Sequence, residues 1–164
     1  MKVLFLDIDG VLNSSQHFKR TTELRNKTSK LGLDYQDSEW LTNIDPICTN
    51  YLKQLMRMIP DLNIVISSTW RKSHPIGLFK KNLSEMLSIS PDRILDKTPS
   101  LHGDGQVRGD EIQDWLNNHP EVTKFAILDD DSDMAHLKDK LFKTTWEHGL
   151  QMEHIQNIAR YLNG

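Results

Sequence analysis

The sequence has little of what defines several common protein classes. Its 164 residues include one cysteine, Cys48, so no internal disulfide bond is available to staple a small core. No apolar run approaches the roughly 18 residues of a membrane-spanning helix. The net charge of −3 gives no overall attraction to nucleic acid or to anionic lipid. These absences argue against a disulfide framework and a membrane span, and they leave the partner open.

The first apolar run is interrupted by Asp7 and Asp9 before it becomes long enough for the core of a signal peptide. Together with the lone cysteine, this predicts a cytoplasmic protein. There is no internal repeat, low-complexity tract or second hydrophobic core, and the length suffices for one sizeable core. We therefore expect a single domain that covers residues 1–164.

Apolar runs of strand length alternate with amphipathic stretches of helical period along the chain. Strands are predicted before Asp7 and at residues 63–67, 93–96, 124–128 and 141–145. Helices are predicted at residues 46–59, 76–87, 109–117, 133–138 and 151–162. This alternation is typical of an α/β fold with a parallel sheet covered by helices on both faces. In such folds ligands bind outside the carboxyl ends of the strands.

A polar stretch between residues 13 and 43 has few apolar residues in any period, so we predict a loop, lid or small insertion at 14–43. Within it, residues 14–33 are basic although the whole chain is acidic. One acid, Glu23, is outnumbered there by five basic residues: Lys19, Arg20, Arg25, Lys27 and Lys30. A basic lid would attract a polyphosphate or a nucleic-acid backbone, whereas a solvated charged loop explains the composition equally well.

Two carboxylates, Asp7 and Asp9, follow the first predicted strand and precede Gly10. Successive side chains of a strand alternate between faces, so both carboxylates project to the same side, where two anions repel each other. A hard divalent cation is the obvious compensating group. An apolar strand that ends in paired carboxylates and turns at a glycine is typical of a phosphoryl-transfer nucleophile.

Two further apolar runs also end in oxygen-bearing side chains. Residues 64–66 lead to Ser67, and residues 125–128 lead to Asp129 and Asp130. Because parallel strands present their carboxyl ends at one edge of a sheet, we expect these side chains to join Asp7 in one site.

The acidic run at residues 129–133 also has the alternating aspartates of a calcium-binding EF-hand loop. That interpretation fails, because position six is Met134 rather than glycine and position twelve is Lys140 rather than glutamate. The seven histidines show no metal-ligand spacing and are expected at the surface or as caps. They are His17, His74, His102, His119, His136, His148 and His154.

The segment DIDGVL at residues 7–12 resembles the first motif of the haloacid dehalogenase (HAD) superfamily, Ser67 its second motif and Asp129-Asp130 its fourth. The order and spacing match over nearly the whole chain. Residues 67–71 and 108–112 are similar to the HAD phosphatase domains of nucleic-acid end-repair proteins, such as polynucleotide phosphatases and Swiss Army Knife RNA repair proteins. The resemblance implies a HAD-like Rossmannoid fold with a minimal cap.

The resemblance further implies a phosphatase that depends on Mg²⁺. Asp7 would be the nucleophile that forms an aspartyl-phosphate, and Asp9 would protonate the leaving group and later deprotonate the hydrolytic water. Asp7, the backbone carbonyl of Asp9 and Asp129 would hold the metal, with Asp130 or Asp133 assisting.

The second motif implies a phosphate-binding role for Ser67, whose hydroxyl would donate to a phosphate oxygen. Ser68, Thr69 and Arg71 are predicted to bind substrate, and Trp70 is expected in the core. Helix capping by Ser67 or Thr69 and a surface position for Arg71 are the alternatives.

The cation that stabilises the transferring phosphoryl group is usually a lysine in this superfamily, whereas here Arg108 has the expected position. A guanidinium supplies the same charge with bidentate geometry. Lys97 is the rival for this role. On a further alternative, Arg108 only neutralises Asp110 or Glu111.

The expected substrate is a terminal phosphate of a nucleic acid or nucleotide, because a short insertion favours an open site that accepts a large substrate. A protein- or sugar-phosphate monoester is the alternative with the same mechanism. A receiver-like phosphorylation switch and an inactive HAD-fold binding module represent other classes of function. The sequence implies neither a membrane partner nor an obligate protein partner.

Overall fold

Five parallel strands form one sheet in the order β3-β2-β1-β4-β5, in a computed structural model that describes residues 1–30, 40 and 42–164. The strands are β1 (Lys2–Leu6), β2 (Leu62–Ile66), β3 (Ile94–Lys97), β4 (Lys124–Asp129) and β5 (Leu141–Lys143). The central strand, β1, pairs with β2 and β4, and its last residue, Leu6, is level with Ile66 and Leu128. The three strands that precede the predicted site residues therefore end side by side.

Helices connect the strands. The α-helices are α1 (Ser15–Lys30), α2 (Pro46–Met58), α3 (Ile76–Leu87), α4 (Arg108–Asn117) and α5 (Met152–Asn163). Short 3₁₀ helices lie at Thr69–Lys72, Pro91–Arg93 and Ala135–Lys140.

Alternate residues of β1 face two hydrophobic clusters on opposite sides of the sheet. Leu4 and Leu6 join a cluster with buried residues of α2, α3 and α5. Val3 and Phe5 join a second cluster with buried residues of α4 and of the Ala135–Lys140 turn. A strand that is apolar and buried at every position from Val3 to Leu6 fits a sheet buried on both faces, which confirms the predicted α/β fold.

The predicted helices and strands are confirmed to within two residues at their ends. The start of α2 shows why: the Asp45 carboxylate accepts the Ile47 N–H at 2.8 Å, and Pro46 occupies the first helical position. A capping residue followed by proline gives a boundary that is readable in sequence. The helix predicted at 133–138 is instead the 3₁₀ helix at Ala135–Lys140.

Of the alternatives predicted for residues 14–43, a loop is wrong for residues 15–30, which form helix α1, whereas a lid or small insertion stays a prediction. This helix has almost no apolar stripe, and Leu24 is half exposed. Contacts outside the helix hold it instead. The Ser15 N–H donates to the Trp146 carbonyl at 2.8 Å, the Phe18 ring packs on Trp146, and Arg20 bonds the Asp45 carboxylate at 3.0 Å. In the rest of the predicted lid, residues 31–39 and 41 lie outside the described residues, whereas Trp40 and residues 42–43 are described.

Two of the seven histidines are buried rather than at the surface. His17 Nε2 lies 2.9 Å from the Thr42 carbonyl, and His74 stacks on Trp70 with ring centroids 5.3 Å apart. His154 caps α5 as expected, because its Nδ1 accepts the Gln151 N–H at 3.0 Å. Among the residues that the structure describes, no helix is both long and apolar enough to cross a membrane.

Candidate active site

The carboxyl ends of β1, β2 and β4 carry predicted site residues, and backbone hydrogen bonds continue the sheet one residue beyond β1 and β2. The Asp7 N–H donates to the Leu128 carbonyl at 3.0 Å, and the Ser67 N–H donates to the Leu6 carbonyl at 2.9 Å. Asp129 is the last residue of β4, and it is buried like the other two. Asp7, Ser67 and Asp129 therefore lie next to one another at one edge of the sheet.

Three carboxylates converge at this edge. Asp7, Asp129 and Asp130 each offer one oxygen, and these oxygens all lie within 4.8 Å of one another. Gly10 makes room for Asp130, because a Cβ at position 10 would lie 2.3 Å from the Asp130 carboxyl carbon. Gly10 also has a φ of +74°, in the left-handed region that favours glycine. The turn that follows β1 thus requires glycine for two separate reasons.

Burial disfavours the charged forms of these carboxylates. Desolvation raises the pKa of Asp7 from 3.8 to about 6, although the charge of Arg108 opposes the shift. Desolvation, reinforced by the charge of Asp7, raises the pKa of Asp129 from 3.8 to about 7. Burial raises the pKa of Asp130 as well. If all three are to be ionised at neutral pH, the site needs positive charge beyond that of Arg108.

The carboxylate cluster fits a hard divalent cation. Oδ1 of Asp129 accepts the Asp131 N–H at 2.9 Å, whereas its Oδ2 is buried without a hydrogen-bond partner among the described residues. Clustered carboxylate oxygens are the ligands that Mg²⁺ prefers in proteins. Of the two residues predicted to assist, Asp130 belongs to the cluster, while Asp133 accepts the Arg108 backbone N–H at 3.3 Å through Oδ2.

Two side chains that the sequence did not assign to the site hold Asp9. The Asn13 amide donates to Asp9 Oδ1 at 2.8 Å, and the Trp70 indole N–H donates to Oδ2 at 2.9 Å. The amide oxygen of Asn13 in turn accepts the Gly10 N–H at 2.9 Å. Trp70 is buried, as expected of a core residue, but its indole also fixes the orientation of the carboxylate two residues after Asp7.

Arg108, the first residue of α4, is the cation that faces the aspartates. Its guanidinium lies 3.5 Å from Asp7 Oδ1 and 3.7 Å from Asp129 Oδ2, and it also donates to the Ser67 carbonyl. The Lys97 ammonium instead donates to two backbone carbonyls of the segment that follows β2, at 2.8 and 3.1 Å. The geometry therefore favours Arg108 over Lys97 as the group that neutralises a phosphate at Asp7.

The acids next to Arg108 in sequence have other partners. The Asp110 carboxylate accepts the Val107 N–H at 3.0 Å, and Glu111 pairs with Arg71. Gly109 brings the start of α4 against the acidic loop, because a Cβ there would lie 2.2 Å from the Met134 carbonyl oxygen. The close approach at Gly109, which the sequence analysis did not single out, sets the position of Arg108.

The serine and threonine residues after β2 have distinct surroundings. The Ser67 hydroxyl is buried and has no hydrogen-bond partner among the described residues. The Ser68 hydroxyl accepts the Trp70 N–H at 3.3 Å, and its hydrogen bond to Asp7 lowers the pKa of that carboxyl. Thr69 is exposed and lines a cavity beside Arg108. Ser67 and Thr69 are thus placed to meet a ligand, whereas Ser68 supports the site from within.

Arg71 is a structural residue, which corrects the prediction that it binds substrate phosphate. Its side chain is almost fully buried, and a guanidinium has five N–H donors. They reach the carboxylate of Glu111 and four backbone carbonyls, those of Ser67, Ser68, Thr98 and Pro99. No donor is left for a phosphate, and the side chain instead joins the ends of β2 and β3.

Comparison with solved structures shows the same fold in the HAD domain of the effector protein Lem4 from Legionella pneumophila. That domain matches with a TM-score of 0.53 and 18% sequence identity, over 98% of this chain and 94% of that chain. The inactive mutant of the same domain matches with a TM-score of 0.52 and 17% identity, over 98% and 93% of the two chains. No curated protein shows a significant match.

A family model covers the site directly. Residues 3–155 match the model of the HAD domain in Swiss Army Knife RNA repair proteins. The match includes β1 to β5, the three clustered aspartates, Ser67 and Arg108. The chain therefore belongs to this family of HAD domains.

Proposed function

We propose that the protein is a Mg²⁺-dependent phosphatase that removes a terminal phosphate from a nucleic acid or nucleotide through an aspartyl-phosphate at Asp7. One observation carries the proposal: one oxygen each of Asp7, Asp129 and Asp130 lie within 4.8 Å of one another beneath Arg108 and beside the Ser67 hydroxyl, which has no partner in the described part of the chain. A nucleophile, a cation site and two phosphate-binding groups thus occupy one sheet edge.

Asp7, Asp129 and Asp130 would hold Mg²⁺, which when bound offsets the repulsion between the carboxylates and an anionic phosphate. The raised pKa values of Asp7 and Asp129 support this assignment. Without added positive charge, both carboxyls are partly protonated near neutral pH, and a protonated Asp7 is a poor nucleophile.

In the first step, an oxygen of Asp7 attacks phosphorus and forms a P–O bond while the bond from phosphorus to the ester oxygen breaks. Asp9 gives its proton to the departing alkoxide. Arg108 and the Ser67 hydroxyl stabilise the negative charge on the phosphoryl oxygens. The bonds from Asn13 and Trp70 keep the Asp9 carboxylate in place for this transfer.

In the second step, water attacks phosphorus and gives a proton to the Asp9 carboxylate. The P–O bond to Asp7 breaks, which releases inorganic phosphate and restores both aspartates to their starting states. Because Asp9 is held next to Asp7 as a resident acid and base, the arrangement favours turnover over a stable phosphorylation switch.

Two observations support a nucleic-acid or nucleotide substrate. The family takes its name from RNA repair proteins. The helix α1, which follows the first motif, exposes the basic side chains of Lys19, Arg20 and Lys27, of which Arg20 pairs with Asp45 and Lys27 pairs with Glu23. Exposed cations near an open site attract phosphate backbones.

Hydrolysis of p-nitrophenyl phosphate tests the mechanism, with and without Mg²⁺. We expect activity that requires Mg²⁺ and is lost in Asp7→Asn. Asp131→Asn is the matched control, because Asp131 is an exposed acid of the same loop and lies outside the carboxylate cluster. Activity that persists in Asp7→Asn, or that is unaffected by removal of the metal, would refute the mechanism.

A panel of substrates tests the substrate class. Oligonucleotides with a 3′- or 5′-terminal phosphate, mononucleotides, phosphopeptides and sugar phosphates are compared by kcat/KM. A preference for phosphopeptides or sugar phosphates would contradict the nucleic-acid assignment and leave the mechanism intact.

A further inference from the structure

Two neighbouring cavities extend from the site toward the end of β3. The smaller, of about 150 Å³, is lined by Arg108 and Asp133 of the site and by Thr69 and Lys72. The larger, of about 540 Å³, is lined by Lys72, Lys97, residues 98–100 and His102. Because Lys72 and the neighbouring Arg71 line both cavities, the two cavities are adjacent, and we call them together the side groove.

The floor of the side groove is built before any ligand arrives. The Arg71 guanidinium bonds carbonyls after β2 and after β3, so it fixes the two strand ends relative to each other. Its partner, Glu111, accepts the Leu101 N–H at 3.3 Å and thereby attaches the loop that forms the outer wall. A preformed groove loses little conformational entropy when a ligand binds.

Thr98, a residue with a buried hydroxyl, lines the larger cavity. Ile66 and Lys97 are register partners at the ends of β2 and β3, so the residues that follow them, Ser67 and Thr98, are neighbours at the same sheet edge. Both residues are buried, and neither hydroxyl has a hydrogen-bond partner among the described residues. Buried polar atoms in proteins are normally satisfied by a protein group, a water or a ligand, so the hydroxyls of Thr98 and Ser67 are both available to bond one.

The charge of the side groove favours an anion. Among the described residues, the larger cavity is lined by Lys72, Lys97 and His102 and by no acid, whereas the smaller cavity is lined by the acids Glu111 and Asp133 together with Arg71, Lys72 and Arg108. The Lys97 ammonium bonds only neutral carbonyls, so its positive charge is not cancelled there. Lys72 is exposed at the junction of the two cavities. The charge of Arg71, by contrast, is neutralised by Glu111.

We propose that the side groove binds the polynucleotide strand that continues from the terminal phosphate. Lys72 contacts the first internucleotide phosphate, and the Thr98 hydroxyl donates to an oxygen of the same nucleotide. This inference rests on the proposed function, because a terminal phosphate bound at Asp7 determines which nucleotide lies next to Lys72 and Thr98. A peptide has no repeating anion that would match the two lysines along the groove.

The test compares three substrates by kcat/KM: p-nitrophenyl phosphate, a mononucleotide, and a short oligonucleotide with the same terminal phosphate. The variants are Lys72→Ala and Thr98→Val, the second of which removes the hydroxyl and keeps the shape. We expect each to lower the ratio of oligonucleotide to aryl phosphate kcat/KM by roughly fivefold, the size of one lost hydrogen bond. Lys81→Ala, which removes an exposed lysine of α3 outside both cavities, leaves the ratio unchanged.

A binding measurement in a variant that lacks the nucleophile tests the side groove independently of hydrolysis. The phosphorylated oligonucleotide is titrated into Asp7→Asn protein at several salt concentrations. Adding Lys72→Ala is expected to weaken binding and to reduce the slope of log K against log salt by about 0.7, the value for one phosphate contact on a single strand.

The outcomes are distinct. If aryl phosphate is hydrolysed but the substrate ratio is unchanged in Lys72→Ala and Thr98→Val, and the salt slope is unchanged in Lys72→Ala, the side groove is overturned and the proposed function stands. Absence of any hydrolysis refutes the proposed function, and binding that does not depend on Lys72 then overturns the groove as well. A phosphopeptide is measured in the same variants as a fourth substrate, and an equal loss of its kcat/KM overturns the assignment to a polynucleotide.

Discussion

Replacement of Trp70 by phenylalanine tests the role of the indole N–H that bonds Asp9. The variant keeps an aromatic ring in the cluster where Trp70 packs edge-on against Trp40, with centroids 5.4 Å apart, and stacks on His74. It deletes the donor that reaches Asp9 Oδ2 at 2.9 Å. The Asn13 amide still holds Oδ1 at 2.8 Å, so Asp9 remains in the site with greater freedom to rotate.

The expected loss of kcat/KM in Trp70→Phe follows from the kind of hydrogen bond that is removed. A hydrogen bond to a charged group contributes about 1.5–3 kcal/mol, which corresponds to about 10- to 100-fold in rate when the bond acts in the transition state. Asp9 donates a proton to the leaving group in the first step, and this donation matters most when the leaving group is basic. We therefore expect the full loss in kcat/KM for an alkyl phosphate, and less than about threefold for p-nitrophenyl phosphate.

The assay measures kcat/KM for both substrates, because this parameter reports the steps up to and including phosphorylation of Asp7. Trp115→Phe is the matched control. Trp115 is also buried, and its indole bonds the carboxylate of Asp96 at 3.3 Å, away from the site. Trp115→Phe is expected to change the melting temperature but not the ratio of alkyl to aryl rates. An equal loss for the two substrates in Trp70→Phe would refute the positioning role.

Three further predictions concern the aspartates and their neighbours. Because the pKa values of Asp7 and Asp129 are raised in the folded protein, these carboxyls stabilise the metal-free fold fully at a pH below 3.8, their ordinary pKa. This stabilisation is lost as pH rises through about 6 for Asp7 and about 7 for Asp129. Mg²⁺ should therefore raise the melting temperature more at pH 8 than at pH 5, and a shift independent of pH would contradict the assignment. Gly10→Ala places a Cβ against Asp130 and forces alanine into φ +74°, so we expect a loss of about 1–3 kcal/mol in unfolding free energy and weaker Mg²⁺ binding by titration. Arg108→Gln should lower kcat for aryl phosphate by about 100-fold, whereas Lys97→Gln should mainly lower the melting temperature, and the reverse pattern would make Lys97 the phosphate-stabilising cation.

The sheet edge could be predicted from the sequence because each signal was local. An apolar strand followed at once by Asp7, Ser67 or Asp129 fixes both the element and the place of its polar end. Parallel pairing of β1 with β2 and β4 then brings these residues together without further information. Gly10 was readable for the same reason, since it immediately follows the carboxylate pair.

Residues whose roles depend on distant partners could not be predicted. Helix α1 lacks an apolar stripe because its stability comes from Trp146 and Asp45, which are far away in sequence. Nothing in the order of residues 67–71 shows that the Trp70 indole reaches back to Asp9, 61 positions earlier. The role of Arg71 could not be predicted either, because four of its five partners are backbone carbonyls. Every residue has such a carbonyl, so the sequence gives no sign of which ones an arginine will bond.

Those carbonyl partners have a consequence for how the specificity of the protein can be changed. Four of the five groups that Arg71 bonds are backbone atoms, so the floor between β2 and β3 does not depend on which side chains occupy positions 98–100. The residues that face a substrate are thereby separated from the residues that hold the strands. Side chains of the segment 98–102, such as those of Thr98 and His102, can therefore be substituted together to redesign the protein for other phosphate esters. The fold that supports them is expected to stay the same.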